Sequence, residues 1–478
     1  SVGWLSSFLL GFAVISATTA VFSGFGFGLA TAGPAFVWTF PIAVAVFFLW
    51  ALIAADLVSK IPLSGYAYQW TSRLVSPSAG WFTGWAGLIG FISGFTGVAF
   101  VMSGYVGSLL GIEMTTPLQI WISVAIVLFC VLINVYGVRL ATALNNIGVG
   151  LELVVTIGAT AFVAIVAFFV SGEHQPIEFL FSAGEAPVSP YIAVWLTSSL
   201  GCIFGLLGVE AAADIAEETK DARRVIPRTM FMALGVSAIV EFFMYVVYLL
   251  AIKDPAALAG SASPIADIIG AQVSPLFAKI VVAIAITNIL VCVLANMLVA
   301  TRLMYAMARD NMLPFSSPLR HVSAGHKTPS RAVWATGILS LALLLTAFVS
   351  VEAFAFILGM SALGYFTVYV LTTTGLLVAK RRGRIPAGEP GTFDLGRWRT
   401  AVYVIGLVAF SLVLLALLLL PAFQVNGIVF LITMAVAAVW WLLGLRPRLA
   451  RDDAGPRFAL KNATAEESSA QTVAAVQD

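Results

Sequence analysis

The sequence predicts an all-α polytopic membrane protein with twelve transmembrane helices, and three observations carry that prediction. Of its 478 residues, 60% are hydrophobic and only 10% charged, whereas soluble globular domains are roughly 25% charged. Twelve stretches approach the about 20 apolar residues needed to cross a bilayer; they run near 4–28, 36–58, 80–110, 118–137, 143–170, 190–215, 227–252, 275–308, 330–350, 352–379, 400–421 and 424–445. With even loops placed inside, 23 of the 25 Lys and Arg residues fall on the cytosolic side, and only Lys253 and Lys279 lie outside. Both termini are then expected in the cytosol.

The same composition excludes several classes of function. Disordered chains are poor in apolar residues, and a net charge of +2 offers nothing for nucleic acid to bind in bulk. Cys130, Cys202 and Cys292 lie in apolar runs without metal or disulfide spacing. His174, His321 and His326 fall in loops and read as solvated. No phosphate-binding GxxxxGK[ST] loop occurs, so ATP-driven pumping by this chain alone is not expected. Neither HExxH nor GxSxG occurs, so the chain is not expected to be an enzyme, and no cofactor or metal is expected.

The first span, starting near Phe8, is long enough to be a permanent helix rather than a signal peptide. A short cytosolic segment is expected ahead of Ser1. That span reads FAVISATTAVFSGFGFGLATAGP, with hydroxyls at Ser16, Thr18, Thr19 and Ser23 and several glycines. Such residues weaken a helix, and a break is expected near Ser16–Ala20. Span three carries Gly80, Gly84, Gly87, Gly90, Gly94 and Gly97 at intervals of three and four. They form one face on which a neighbouring helix can approach closely. Span five places Asn145, Gly148, Glu152, Thr156 and Thr160 on one face. Span six has glycines at 201, 205 and 208 just before Glu210, and a second break is expected there. Span eight sets Asn288, Cys292 and Asn296 four residues apart.

Broken helices five spans apart, in corresponding positions of two halves, point to a five-plus-five inverted repeat with its binding site at mid-membrane. The expected organisation is a first repeat over 1–172, a second over 173–380, two further spans over 381–446 and a mostly disordered tail over 447–478. A channel would instead want symmetric pore rings across subunits.

Four segments then carry a resemblance: GVEAAADIAEETKDARRVIPRTM (208–230), AGP (32–34), KIPLSGYAYQWTSRL (60–74) and ATRLMYAMARDNMLP (300–314). Together they resemble permeases of the amino acid–polyamine–organocation superfamily, nearest the amino acid/choline branch. The resemblance implies a leucine-transporter-like fold. It also implies secondary transport of an amino acid or small amine across the plasma membrane, by alternating access, with H+ coupling or with Na+. Membrane lipid is the expected surround.

By position, the resemblance places the substrate at Ser16, Thr18, Thr19 and Ala20 of the first break, where relatives hold the substrate carboxylate on backbone amides. It places Phe204, Gly205 and Gly208 at the second break, with Phe204 as a gating aromatic able to face an ammonium. The alternatives stay open: threonines bonded back within an intact helix, and Phe204 as one core Phe among 34. Glu152 and Glu210 are the proton-coupling candidates, because a buried acid in a membrane costs about 2.5–3.5 kcal/mol on insertion scales and is seldom idle. Some relatives carry lysine near Glu152; this chain departs from them. Either acid could instead be a structural tether. Asn288 and Asn296 offer neutral oxygens for a Na+ site, or ordinary interhelical bonds. Glu241, in span seven, is a third buried acid with no evident role. Asp214, Glu217 and Glu218 read as a charge cluster at the inner end of span six.

Overall fold

The computed structural model describes residues 12, 15–63, 65–136, 148, 150–152, 157–184, 190–258, 260–323, 328–348 and 353–460. Among them the secondary structure is helical, without strands. Among the described residues, nine helices are long and apolar enough to cross a membrane, and three shorter apolar ones lie at 17–32, 158–171 and 330–345. The shorter three overlap predicted spans one, five and nine, beside residues outside the described set. Asn145, Thr156, Glu185, His326 and residues 461–478 lie outside it as well, as do the side chains of Asp214, Glu217 and Glu218.

In chain order, α1 (Ala17–Ala32), α2 (Thr39–Val58) and the short α3 (Tyr66–Leu74) lead into the long α4 (Pro77–Leu110). Then come α5 (Thr116–Tyr136), α6 (Gly158–Ile165), α7 (Tyr191–Leu206) and α8 (Ala222–Leu250). The chain continues with α9 (Pro264–Gln272), α10 (Pro275–Arg309), α11 (Ser316–Leu319), α12 (Ser330–Leu345) and α13 (Ala353–Arg381). Last are α14 (Arg399–Leu419), α15 (Gln424–Trp440) and α16 (Arg446–Ala450). Neither α3 nor α9 was expected. Each has only nine residues, too few for a span and too short for a clear period.

The glycine face of α4 does what its spacing predicts: α4 packs along α13 and α10. At Gly90 an added Cβ would sit 3.0 Å from the Tyr365 ring. A second close crossing joins α1 to α7. A Cβ on Gly24 would lie 2.3 Å from the Gly201 carbonyl oxygen, and one on Gly205 only 2.5 Å from Ala20 Cβ. Any side chain there would force the two helices apart. The outer surfaces of α14 and α15 expose Leu412, Leu419, Val425 and Leu431, as a lipid-facing surface would.

Beyond α16 the chain stays bound as far as Gly455. The Gly455 N–H donates to the Asp310 carbonyl (2.7 Å), and Asn311 Nδ2 donates to the Asp453 carbonyl (2.7 Å).

Candidate functional site

The first helix breaks at one residue. Ser16 has φ 40° and ψ 97°, a region costly for a residue with a side chain and a frequent mark of functional strain. Its N–H still closes the preceding turn on the Phe12 carbonyl (2.7 Å), and its own carbonyl accepts from Ala20 N–H (2.8 Å). The interruption is thus a sharp re-aiming rather than an unwound stretch, and Thr18, Thr19 and Ala20 lie inside the first turn of α1. The break falls inside the expected zone, Ser16–Ala20, but at one residue of its five.

The start of α1 is capped twice. Ser16 Oγ accepts from Thr19 N–H (3.2 Å) and lies 2.8 Å from Thr19 Oγ1, the side-chain capping that a helix N-terminus favours. Glu152 then closes on the same point from span five. Its Oε1 accepts from Ser16 Oγ (2.7 Å) and from Thr18 N–H (3.2 Å). Exposed backbone N–H groups and the helix dipole make an N-terminus a place for an anion. Here the protein's own carboxylate, 2% exposed, fills it.

The second break falls at Leu207–Gly208. α7 ends at Leu206, Leu207 is extended, and Gly208 turns left-handed at φ 92° before a tighter helical stretch, Val209–Glu218. Only glycine adopts that φ without strain. The two breaks meet around a cavity of about 20 Å³ lined by Ile15, Thr19, Ala20, Phe204, Gly205 and Asn296, among others. That volume holds about one water, so this conformation is closed around its centre. Phe204 covers it, with ring Cζ 3.3 Å from where a Cβ on Gly97 would be. A larger cavity, about 310 Å³, opens between α2, α7 and α14, but no charged side chain lines it. The few polar groups there, such as Thr39 and Ser199, carry no charge to match a zwitterion, so the small central cavity at the two helix breaks is the better candidate.

Glu210 stands apart from this point. It is fully buried two residues past Gly208, and Tyr369 OH donates to its carboxylate at 3.3–3.4 Å. Trp50 stacks on Tyr369 at 4.0 Å. Asn288 and Asn296 are not brought into one site by any recorded bond. Asn296 Nδ2 donates to the Cys292 carbonyl (2.9 Å) and borders the cavity, whereas both polar atoms of buried Asn288 lack a partner among the described residues.

Asp56 is a buried charge that went unnoticed in the sequence. Asp56, 0% exposed, accepts from Lys60 Nζ (2.6 Å), Arg399 Nε (3.0 Å), Tyr403 OH (3.1 Å) and Leu395 N–H (3.0 Å). It ties the end of α2 to the start of α14. Its single signal was the i, i+4 spacing to Lys60; Arg399 and Tyr403 are too distant in sequence to suggest a pairing.

A profile of the amino acid permease family matches residues 2–443. The chain is 26% identical to the amino-acid permease BAT1 homolog of Oryza sativa subsp. japonica, over 83% of this chain and 80% of that protein. It is 27% identical to the branched-chain amino acid permease BcaP of Lactococcus lactis subsp. cremoris, over 73% and 76%. It is 25% identical to the methylthioribose transporter of Bacillus subtilis, over 74% and 76%. A match over nearly the whole membrane region, on a helical frame with apolar, membrane-length helices, is decisive: the chain belongs to the amino acid permease family of the amino acid–polyamine–organocation superfamily, and is a membrane transporter rather than an enzyme.

Proposed function

We propose that this protein is a secondary transporter that moves an amino acid across the plasma membrane by alternating access, coupled to protons through Glu152. The reading includes twelve spans, repeats over 1–172 and 173–380, spans eleven and twelve over 381–446, a tail over 447–478 and cytosolic termini. Nine membrane-length helices and three shorter ones in the expected stretches support it. Amino acid transport is supported at family level and by permeases that resemble the chain along most of its length.

The observation that carries the coupling is the Glu152 carboxylate on the first turn of α1, 2.7 Å from Ser16 Oγ. A substrate carboxylate, held on backbone amides, needs that same helix start. Two carboxylates at one N-terminus repel each other. Protonation of Glu152 removes its charge and weakens its hold on Thr18 N–H. The substrate carboxylate then takes the position beside Thr18, Thr19 and Ala20, and Phe204 shifts to make room beside Gly205 and Gly208. Proton and substrate bind together, which is symport. Glu210, beyond the second break, is a further proton site in this scheme.

Purified protein in liposomes tests the reading. An imposed proton gradient should drive accumulation of radiolabelled amino acids, screened singly. Equilibration without accumulation would sink the coupling.

A second reading rests on Asn288, whose buried, partnerless side chain could join Asn296 in holding Na+. Sodium-dependent uptake that ignores the proton gradient would select it. A small amine as cargo, or exchange of one substrate for another, is the remaining alternative. It would leave Glu152 as counter-charge to an ammonium.

A further inference from the structure

We propose that Glu241 of α8 is a further proton-binding site of the transport cycle, beyond Glu152 and Glu210, set behind the crossing of α1 and α7. This rests on the proton-coupled reading above. Glu241 is 0% exposed, and neither carboxylate oxygen has a hydrogen-bond partner among the described residues. Its Oε2 lies 3.4 Å from the place of a Cβ on Gly205, the residue pressed against Ala20. The acid therefore backs directly on the helix crossing beside the central cavity. A carboxylate buried with neither cation nor donor is far too costly to keep ionised. It holds a proton, or gains one whenever the crossing closes.

The groups around Glu241 suit that role. From α7 it faces Cys202, from its own helix Tyr245, and from span five Glu152, all within electrostatic reach. α1 and α6 carry no ionisable residue. Asp56 of α2 is held by Lys60 and Arg399, and Glu210 faces Tyr369. No lysine or arginine among the described residues pairs with Glu241.

A row of hydroxyls leads away from it. Ser237 lies one turn before Glu241 on α8, and Tyr245 and Tyr248 follow it at helical spacing, all buried. Tyr245 OH reaches the Ala20 carbonyl at 3.4 Å, and Thr160 Oγ1 bonds Tyr248 OH at 3.3 Å. Intramembrane acids beside such groups are the usual parts of proton paths.

The test uses full-length protein in liposomes with a lumenal pH dye, and a mixture of the twenty proteinogenic amino acids as probe. Wild type should acidify the lumen when the probe is added. Glu241→Gln should lose most of that proton influx and flatten the pH profile of uptake, and Glu241→Asp should restore both. A Glu241→Gln protein with wild-type influx and pH profile overturns the assignment and leaves the Glu152 reading standing. Wild-type uptake of the probe without any influx overturns both.

If Glu241→Gln does not fold, the Glu152→Gln/Glu210→Gln double variant decides by infrared spectroscopy. A protonated-carboxyl band that responds to the probe supports the assignment; a spectrum without one overturns it.

Discussion

Glu152→Gln is the sharpest perturbation of the candidate site, because its sign depends on what the protein carries. The wild-type carboxylate accepts two hydrogen bonds at the start of α1, from Ser16 Oγ at 2.7 Å and Thr18 N–H at 3.2 Å. Bonds to a charged acceptor contribute about 1.5–3 kcal/mol and neutral ones about 0.5–1.5, so losing the charge weakens the pair by roughly 2–3 kcal/mol. The favourable helix-dipole contribution, about 0.3–1 kcal/mol or more when buried, is lost too. Ser16 can turn to other acceptors, which brings the net difference down to roughly 1.5–3 kcal/mol, or about 10- to 100-fold in affinity.

On the proposed reading, a carboxylate-bearing substrate must displace Glu152 when that acid is ionised. Wild-type affinity should therefore fall as pH rises through the Glu152 titration. Glutamine imitates the protonated acid at every pH. The variant should bind an amino acid about 10- to 100-fold more tightly than wild type in alkaline buffer, lose the pH dependence, and equilibrate substrate without concentrating it. Radioligand binding across a pH series measures the first two, and uptake into liposomes the third. An amine without a carboxylate gives the opposite sign: weaker binding to the variant at every pH, because its counter-charge is gone. Wild-type affinity and pH dependence in Glu152→Gln would refute both versions, and with them the assignment of Glu152 to coupling.

Three other substitutions probe separate links. Phe204→Ala removes the ring that covers the central cavity and should weaken substrate binding by roughly 1–3 kcal/mol; an unchanged transport KM and ligand Kd would remove Phe204 from the site. Gly205→Ala puts a methyl 2.5 Å from Ala20 Cβ and should cost about 1–3 kcal/mol by overpacking, lowering the melting temperature and transport together; transport at the wild-type rate would show that the α1–α7 crossing tolerates separation. Asp56→Ala leaves Lys60, with its side chain fully buried, without its main counter-ion. Breaking a buried pair costs about 3–5 kcal/mol, so the melting temperature should drop sharply in a fluorescence melt, whereas an unchanged melt would mean that Asp394 alone neutralises Lys60.

The parts of this protein that were legible in its sequence share one property: they depend on residues near one another in the chain. The glycine face of α4 follows from helical spacing, and its close packing on α13 follows from the missing side chains. The break at Gly208 follows from the glycines before Glu210. At the first break the hydroxyl-rich composition gave the region, but not that Ser16 alone would turn, because four candidate residues compete for the same backbone bonds. Asp56 was hidden for the opposite reason. It sits in an apolar run, and its partners Arg399 and Tyr403 come from the far end of the chain. Glu152 was visible as an acid on a polar face and Ser16 and Thr18 as residues of a broken helix, yet nothing in either segment said that they touch.

That contact changes the logic of the site. A broken helix in the membrane exposes an N-terminus that must be satisfied. A substrate carboxylate can satisfy it only part of the time, because the substrate must leave. Glu152 supplies the missing partner while the site is empty, so the break need not stand bare between turnovers. On the proposed reading, the same acid gives way once protonated. Lysine could not do this from the same position, since an ammonium has no lone pair to offer the Thr18 N–H. The chemistry that keeps the empty site stable is therefore also the chemistry that would make it sensitive to protons, and Glu241, behind Gly205, stands where it would feel each change of charge at that helix start.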